Sequence, residues 1–228
     1  MTRLIAKIDS QINLDNIRYS PNFNYKESPY ASMEFPEVGS IDIYNIVGSP
    51  PKNSSSTTRS ELKYLQNITT NRTKAEIDLI YKVDDDPIHL FEDVISKYDL
   101  DFPKQFFVAV YYTCTIAIVD HLKYFYNRPR PFQLAEYYDL SINRIVTKTH
   151  KTPAYPSGHT MYAALIAEIL SDKYPKYKTE FDKLVDLCGK GRELQGVHYP
   201  SDNVASKKII KTIYPELKKY YIGVGHEL

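Results

Sequence analysis

The chain of 228 residues contains no tryptophan and only two cysteines, Cys114 and Cys188. These cysteines show neither the C-x-x-C arrangement nor any metal-ligand spacing, so nothing favours a disulfide framework or a thiolate metal site. The sequence predicts two buried thiols in a reducing compartment.

An excess of charge of one sign is also missing. The chain has 29 Lys and Arg against 28 Asp and Glu, which gives a net charge of +1. This balance gives no electrostatic reason to expect nucleic acid or an anionic membrane surface as the main partner. Any anion-binding site must therefore arise from a local cluster of cations.

Long hydrophobic runs are absent as well. The most apolar stretch, Phe106 to Val119, contains two Tyr, two Thr and a Cys. It is shorter than the ~20 apolar residues that a membrane span needs, so we interpret it as a core helix. The first eleven residues contain no apolar run typical of a signal peptide. The sequence thus predicts a cytoplasmic protein without a membrane span.

Two regions differ in composition. Residues 1–59 are rich in Pro, Ser, Asn and Tyr and show no sustained helical period, which predicts a largely irregular N-terminal arm with a possible short strand at 41–47. Residues 60–228 show helical patterns and few strand-like alternations, which predicts an all-α domain.

The predicted helices of that domain begin with one or two between 60 and 81. Another should start at Asp86-Pro87, with Asp86 as its N-cap. A long central helix follows over 103–126, and a proline-rich connection covers 127–156. Further helices are predicted at 158–172, 178–196 and 201–213, before a tail that contains Tyr214-Pro215.

The segment Pro156-Ser157-Gly158-His159 opens one of these helices. Ser157 can cap the helix and leave the N–H groups of Gly158 and His159 free, and such a helix N-terminus is a ready anion site. The Ser157 hydroxyl can donate to a phosphoryl oxygen, and His159 can donate or accept a proton. Taken alone, the segment could also be an ordinary helix cap with an incidental histidine.

A second segment places Arg192 six residues before His198 and Asp202 four residues after it. A carboxylate on one ring nitrogen orients a histidine and leaves the other nitrogen free to attack. Taken alone, a histidine near an aspartate is more often structural.

A third segment, at the end of the long helix, contains Lys123 and Arg130 in K-YFYNRP-R-P. The helix should break in the NRPRP stretch, because a residue before proline disfavours the α conformation. A broken end lets both cations turn inward, where arginine offers a planar fork for phosphate oxygens and lysine a point charge. The spacing assigns this role to Arg130 and leaves Arg128 on the surface; a solvated basic loop is the alternative.

In this order the three segments resemble the signature of the type 2 phosphatidic acid phosphatase superfamily: K-x6-R-P, P-S-G-H and S-R-x5-H-x3-D. The exception is Gly191, where the family usually has serine, and we expect it to weaken a hydrogen bond at the side of the helix without abolishing the chemistry. The superfamily includes class A non-specific acid phosphatases, membrane lipid phosphatases and vanadium haloperoxidases. AYPSGHT at 154–160 and GVHYPSD at 196–202 are most similar to the class A enzymes.

The resemblance implies a compact helical bundle and a metal-independent phosphatase that needs no cofactor. His198 would attack phosphorus and form a phosphohistidine, Asp202 would orient His198, and His159 would protonate the leaving alcohol. The phosphate oxygens would be held by Lys123, Arg130, Arg192, the Ser157 hydroxyl and the Gly158 amide. Phosphoryl transfer at such a site requires mainly positioning of the reacting groups and stabilisation of charge.

The implied partner is a small phosphorylated substrate, with vanadate as an inhibitor and a homo-oligomer as a possible assembly. Three alternatives stay open. A vanadium haloperoxidase would hold vanadate as its cofactor, with His198 as the ligand. A lipid or diphosphate phosphatase would act at a membrane surface. A non-enzymatic phospholigand-binding protein would not need both histidines.

Overall fold

The computed structural model describes residues 13–228. The protein is all-α, as predicted: it is 68% helical, and no strand occurs in the described part of the chain. The helices are α1 Ile43–Val47, α2 Ser56–Thr70, α3 Lys74–Asp85, α4 Glu92–Lys97, α5 Lys104–Val110, α6 Ile116–Tyr126, α7 Pro131–Leu134, α8 Gly158–Lys173, α9 Lys178–Leu194 and α10 Pro200–Gly223. Short 3₁₀ turns precede α1 and α4 and follow α7 and α8.

The centre of the bundle is α8, which packs against α9 and α10. Most of its side chains are buried on every side, from Met161 to Ser171. Three of them, Ala163, Ala164 and Ala167, are small and allow neighbouring helices to approach closely. The N-terminus of α8 therefore lies at a fixed position, and it carries the Pro156–His159 segment.

The predicted long helix over 103–126 is present as α5 and α6 joined by a π-helical turn, Tyr111–Thr115. The Thr115 hydroxyl donates to the carbonyl of Val110 over 3.1 Å inside this turn. The helix ends at Asn127, whose φ of 46° is left-handed, so the predicted break in NRPRP is confirmed. By length and composition alone, the stretch Lys104–Tyr138 could also cross a membrane, although half of its most apolar window is buried within the protein.

Two predictions about the first sixty residues were wrong in detail. The predicted strand at 41–47 is a helix, α1, because the Asp42 carboxylate caps it by accepting from the N–H groups of Tyr44 and Asn45. The first long helix starts at Ser56 rather than at 60, since Ser55 caps it through the N–H of Thr58.

The arm packs along the bundle, although residues 1–12 of the predicted arm lie outside the described residues. Its apolar side chains Val38, Ile43 and Val47 are part of the main core. The Tyr44 hydroxyl contacts Nε2 of His121 on α6 at 2.5 Å, and the carbonyl of Tyr30 contacts Nδ1 of the same ring at 2.8 Å. The arm is thus attached to the helix that carries Lys123.

The C-terminal prediction also needs correction, because α10 continues to Gly223 through the predicted tail. Pro215 lies inside this helix, where it removes one backbone donor. The buried face of the helix continues past it through Ile213, Leu217 and Tyr221 at a spacing of four residues. Burial of this face offsets the local cost of the proline.

The helix expected after Asp86 is also partly different. Asp86 is the N-cap and Pro87 the first position, as predicted, and the Asp86 carboxylate accepts from the N–H of Ile88 over 2.9 Å. The turn Pro87–Leu90 is a 3₁₀ helix, however, and the α-helix α4 begins only at Glu92.

Candidate active site

His198 and Asp202 form a buried pair at the N-terminus of α10. The His198 ring nitrogen Nδ1 lies 3.0 Å from Asp202 Oδ2, which also accepts from the N–H of Tyr199 at 2.9 Å. Since Asp202 is the acceptor, Nδ1 carries the proton and Nε2 keeps its lone pair. The predicted orientation of His198 by Asp202 is therefore present in the structure.

Arg128 is a residue of this site that the sequence prediction missed. It was expected on the surface, but it is 2% exposed and its Nη1 donates to Asp202 Oδ1 over 2.5 Å. Its Nη2 lies 3.3 Å from the carboxylate of Glu61 on α2. The surface assignment was wrong because two buried carboxylates need a cationic partner, and Arg128 supplies it.

Arg130 contacts the other end of the histidine. Its Nη1 donates to His198 Nε2 over 2.8 Å and to the carbonyl of Val197 over 2.7 Å, while Nε donates to the carbonyl of Thr152. Arg128 and Arg130 therefore hold the His198–Asp202 pair from opposite ends.

Lys123 lies in the last turn of α6 and is also buried. Its Nζ donates to the carbonyl of Pro153 over 2.6 Å. The start of α8 lies against α6, because a Cβ placed on Gly158 would be in ordinary van der Waals contact with Val119 Cγ1 at 3.4 Å and Lys123 Cε at 4.0 Å. Lys123 is thereby brought beside the helix N-terminus that was predicted to bind an anion.

Ser157 is the N-cap of α8, as predicted. Its hydroxyl accepts from the N–H of Thr160 and lies 3.0 Å from the Thr160 hydroxyl. Ser157 also donates its own N–H to the carbonyl of Asp202 over 3.4 Å, which joins the starts of α8 and α10. Burial and nearby Arg192 hold the pKa of His159 well below its ordinary value, so its ring is neutral at neutral pH.

Arg192 makes its hydrogen bonds to residues that the sequence prediction did not include. Its Nη1 donates to Asp84 Oδ1 over 2.6 Å and its Nη2 to the Thr149 hydroxyl over 2.9 Å. Its Nε is buried and has no protein partner among the described residues. Burial opposes ionisation of Asp84, but donation from Thr149 and Arg192 holds its pKa at about 2.

Gly191, the departure from the family signature, lies where α9 meets α3. A Cβ at this position would lie 3.0 Å from Cγ2 of the buried Val83 and 3.6 Å from Leu79 Cγ. The absence of a side chain allows α3 to approach α9 closely. This contact brings Asp84, which follows Val83, to Arg192, which follows Gly191.

The site is strongly electropositive around His198. Burial lowers the pKa of His198 well below its ordinary value, and Arg130, Lys123 and Arg192 lower it further. Burial together with Arg192 lowers the pKa of Arg130 to about 9, which leaves it charged at neutral pH. Burial and Arg130 likewise lower the pKa of Lys123. Mutual repulsion of buried cations is the property of a site that binds an anion.

Asp202 has a pKa shifted in the opposite direction. Burial raises the pKa of this carboxyl to about 6, against the opposing effects of Arg128 and the Tyr199 amide. Asp202 is therefore ionised above about pH 6 and can then hold the proton of His198 Nδ1.

Within residues 13–228, no group of three or more His, Cys, Asp or Glu side chains is arranged to hold a metal ion. The prediction that the reaction needs no metal or cofactor stays a prediction. The two cysteines are free and buried.

The structure thus combines an all-α bundle with a buried histidine–aspartate pair among clustered cations. Residues 105–209 match the PAP2 superfamily. This matched region contains the three signature segments, so the resemblance stated from the sequence is confirmed.

Two curated relatives are non-specific acid phosphatases, from Salmonella typhimurium (strain LT2) and Salmonella typhi. Each is 33% identical to this chain over 113 residues, and the match covers 46% of this chain and 44% of the relative. The match thus spans less than half of the curated relatives.

Proposed function

We propose that the protein is a metal-independent phosphatase that hydrolyses small phosphomonoesters through a phosphohistidine on His198. The observation that carries the proposal is the pairing of His198 Nδ1 with Asp202, which leaves the Nε2 lone pair facing Arg130, with Lys123 and Arg192 nearby. The acid phosphatase relatives and the superfamily match support the same reaction class.

In the first step, the Nε2 lone pair of His198 attacks phosphorus and the bond from phosphorus to the leaving oxygen breaks. The contact between Arg130 and Nε2 is replaced by contacts from Arg130 to the phosphoryl oxygens. The buried and unpartnered Nε of Arg192 gains an acceptor in the same way. Asp202 balances the positive charge that develops on the His198 ring.

His159 supplies the proton that the leaving oxygen needs. Its ring is neutral beside Arg192, but a phosphate dianion bound there raises its pKa and favours its protonated form. In the second step, His159 takes a proton from water, the water oxygen attacks phosphorus, and the bond from phosphorus to His198 breaks. The products are inorganic phosphate and the starting enzyme.

The test is hydrolysis of p-nitrophenyl phosphate in EDTA from pH 4 to 8 by the wild-type protein, by His198→Ala and by a control variant, His226→Ala, near the end of the chain. We expect activity that survives EDTA, that vanadate inhibits as a transition-state mimic, and that falls by about a thousandfold or more only in His198→Ala. Radiolabelled phosphate trapped on the protein should be stable in alkali and labile in acid, as a phosphohistidine is.

Three results would contradict parts of this proposal. A folded wild-type protein without activity at any pH rejects the phosphatase function, and bromide oxidation with vanadate and peroxide then tests the haloperoxidase alternative. Full activity in His198→Ala rejects the nucleophile. Activity that EDTA abolishes and a divalent cation restores rejects metal independence.

A further inference from the structure

A cavity of about 300 Å³ opens beside His159. Besides His159, its lining includes Asp84, Asp85, Asp86, Tyr111, Tyr112 and Tyr162. Among the proposed catalytic groups, it is His159, the proton donor to the leaving oxygen, that lines this cavity. The cavity therefore lies where the leaving group of a substrate would be, and its volume suits a ring-sized group.

One wall of the cavity is aromatic. The ring of Tyr111 lies edge-on to that of Tyr162, with a centroid distance of 4.6 Å, and edge-on to that of Tyr112 at 5.0 Å. The π-helical turn Tyr111–Thr115 carries two of these rings, and π-helical turns are frequent at functional sites. Tyr112 is 60% exposed, so its ring surface is available to a ligand rather than used in the core.

Three aspartates also line the cavity and form its acidic wall, and no lysine or arginine is among the described residues that line it. The Asp84 carboxylate is paired with Arg192, whereas that of Asp86 accepts from the N–H of Ile88. The Asp85 side chain is 79% exposed, and its only ion-pair partner in the described structure is His89, at 3.2 Å. A negatively charged leaving group would face these carboxylates, and none of the described lysines or arginines lines the cavity to attract it.

We propose that this cavity is the leaving-group subsite and that it selects phosphomonoesters whose leaving alcohol is aromatic and carries no negative charge. The inference rests on the proposed phosphatase function and adds the substrate class. The aromatic wall supplies contact with a flat ring. The carboxylate of Asp85 favours a cationic ring substituent and disfavours an anionic one.

The first test compares kcat/KM for 4-(aminomethyl)phenyl phosphate with kcat/KM for 4-(carboxymethyl)phenyl phosphate at pH 7. We expect the wild-type protein to prefer the cationic substrate, and Asp85→Asn to reduce this preference by about threefold to fivefold, the effect of one screened charge at close range. Use of the ratio cancels most of the effect of a change in folding or in active-site concentration.

The matched control is Asp186→Asn, which removes an exposed carboxylate of α9 that pairs with Lys207 and does not line the cavity. It should keep the wild-type ratio. An unchanged ratio in Asp85→Asn, or a wild-type preference for the anionic substrate, overturns the charge preference.

The second test addresses the aromatic wall through Tyr112. We expect Tyr112→Ala to lower kcat/KM for phenyl phosphate by about fivefold or more relative to glycerol 1-phosphate, because only the ring substrate loses a stacking partner. Tyr112→Phe should keep the wild-type ratio. Equal losses on both substrates overturn the assignment of this wall to ring binding.

The two proposals fail in different ways. If the protein hydrolyses all four substrates but the kcat/KM ratios do not change in Asp85→Asn and Tyr112→Ala, the subsite is overturned and the phosphatase function stands. A folded protein that hydrolyses none of them overturns both.

Discussion

Arg128 and Asp202 form a buried ion pair behind His198, with 2.5 Å between Nη1 and Oδ1. The other oxygen of the same carboxylate is the one that lies 3.0 Å from His198 Nδ1. Arg128 also contacts Glu61, and Glu61 in turn accepts from the N–H of Ser201 over 2.7 Å at the start of α10. The histidine is thus oriented by a chain of charges that begins on α2.

We expect Arg128→Ala to destabilise the protein by about 3–5 kcal/mol, because it leaves Asp202 and Glu61 buried without a cation. Arg128→Lys keeps the charge but loses the planar fork, so the protein should stay folded while kcat/KM for p-nitrophenyl phosphate falls at least tenfold. Urea unfolding and steady-state kinetics measure the two effects. Arg59→Ala, at an exposed arginine of α2, is the control and should change neither. Wild-type kinetics in Arg128→Lys would show that the fork is not needed.

The pH dependence follows from Asp202. Its raised pKa of about 6 means that the carboxylate becomes protonated as pH falls through this value and then no longer accepts the proton of His198 Nδ1. We therefore expect kcat/KM to fall on the acidic side with an apparent pKa near 6. Asp202→Asn should have a much lower residual activity, and its pH profile should lack this acidic limb. A wild-type profile that stays flat down to pH 4 would contradict this assignment.

Asp84 offsets part of the positive charge of Arg192, so its removal should strengthen anion binding. We expect Asp84→Asn to lower the inhibition constant of inorganic phosphate by about threefold to tenfold, since the asparagine keeps an acceptor for Thr149 and Arg192 but loses the charge. Slower product release should lower kcat at the same time. The control is Asp78→Asn, at an exposed position of the same helix. Weaker phosphate binding in Asp84→Asn would show that Asp84 acts mainly by orienting Arg192.

Gly191→Ser restores the residue usual in the family but adds atoms where Val83 lies 3.0 Å away. We expect a loss of about 1–2 kcal/mol in the free energy of unfolding, because the buried Val83 has little room to move. The double variant Gly191→Ser/Val83→Ala lacks the obstructing methyl groups. It should therefore be at least as stable as Val83→Ala alone. If Gly191→Ser alone is as stable as wild type, the close approach of α3 and α9 does not require glycine.

Much of the bundle could be predicted because its signals are local. The starts of α8 and α9 were predicted correctly and their ends to within two residues, since Ser157 caps α8, which is apolar on nearly all sides, and α9 carries a regular apolar period. The C-terminal end of α10 could not be predicted in this way. Pro215 is a local signal for termination, and only packing of Leu217 and Tyr221 against the rest of the bundle outweighs it.

The residues of the site also divide into those with a local sequence signal and those placed only by packing. His198, Asp202, Lys123 and Arg130 lie in segments whose spacing is visible in the sequence, and the structure brings them together. Glu61, Asp84 and Thr149 were missed because each lies outside those segments and reaches the site only through helix packing or a connecting loop.

The choice between the two neighbouring arginines was also beyond the sequence. Arg128 and Arg130 are separated by one proline, and nothing in their local pattern shows that both turn inward. Tyr155, which directly precedes the Pro156–His159 segment, is buried, and its hydroxyl donates to the carbonyls of Val47 and Gly48.

The contacts of the arm with α6 have a consequence for the order of folding. The N–H of Ser20 donates to Asn127 Oδ1 across 107 residues of sequence, and Tyr44 reaches His121 across 77. During synthesis the arm leaves the ribosome well before its partners exist, and closure of such long loops is slow compared with helix formation. We therefore expect the arm to dock late, so that the end of α6, which carries Lys123, gains its contacts with the arm only after the helix has formed.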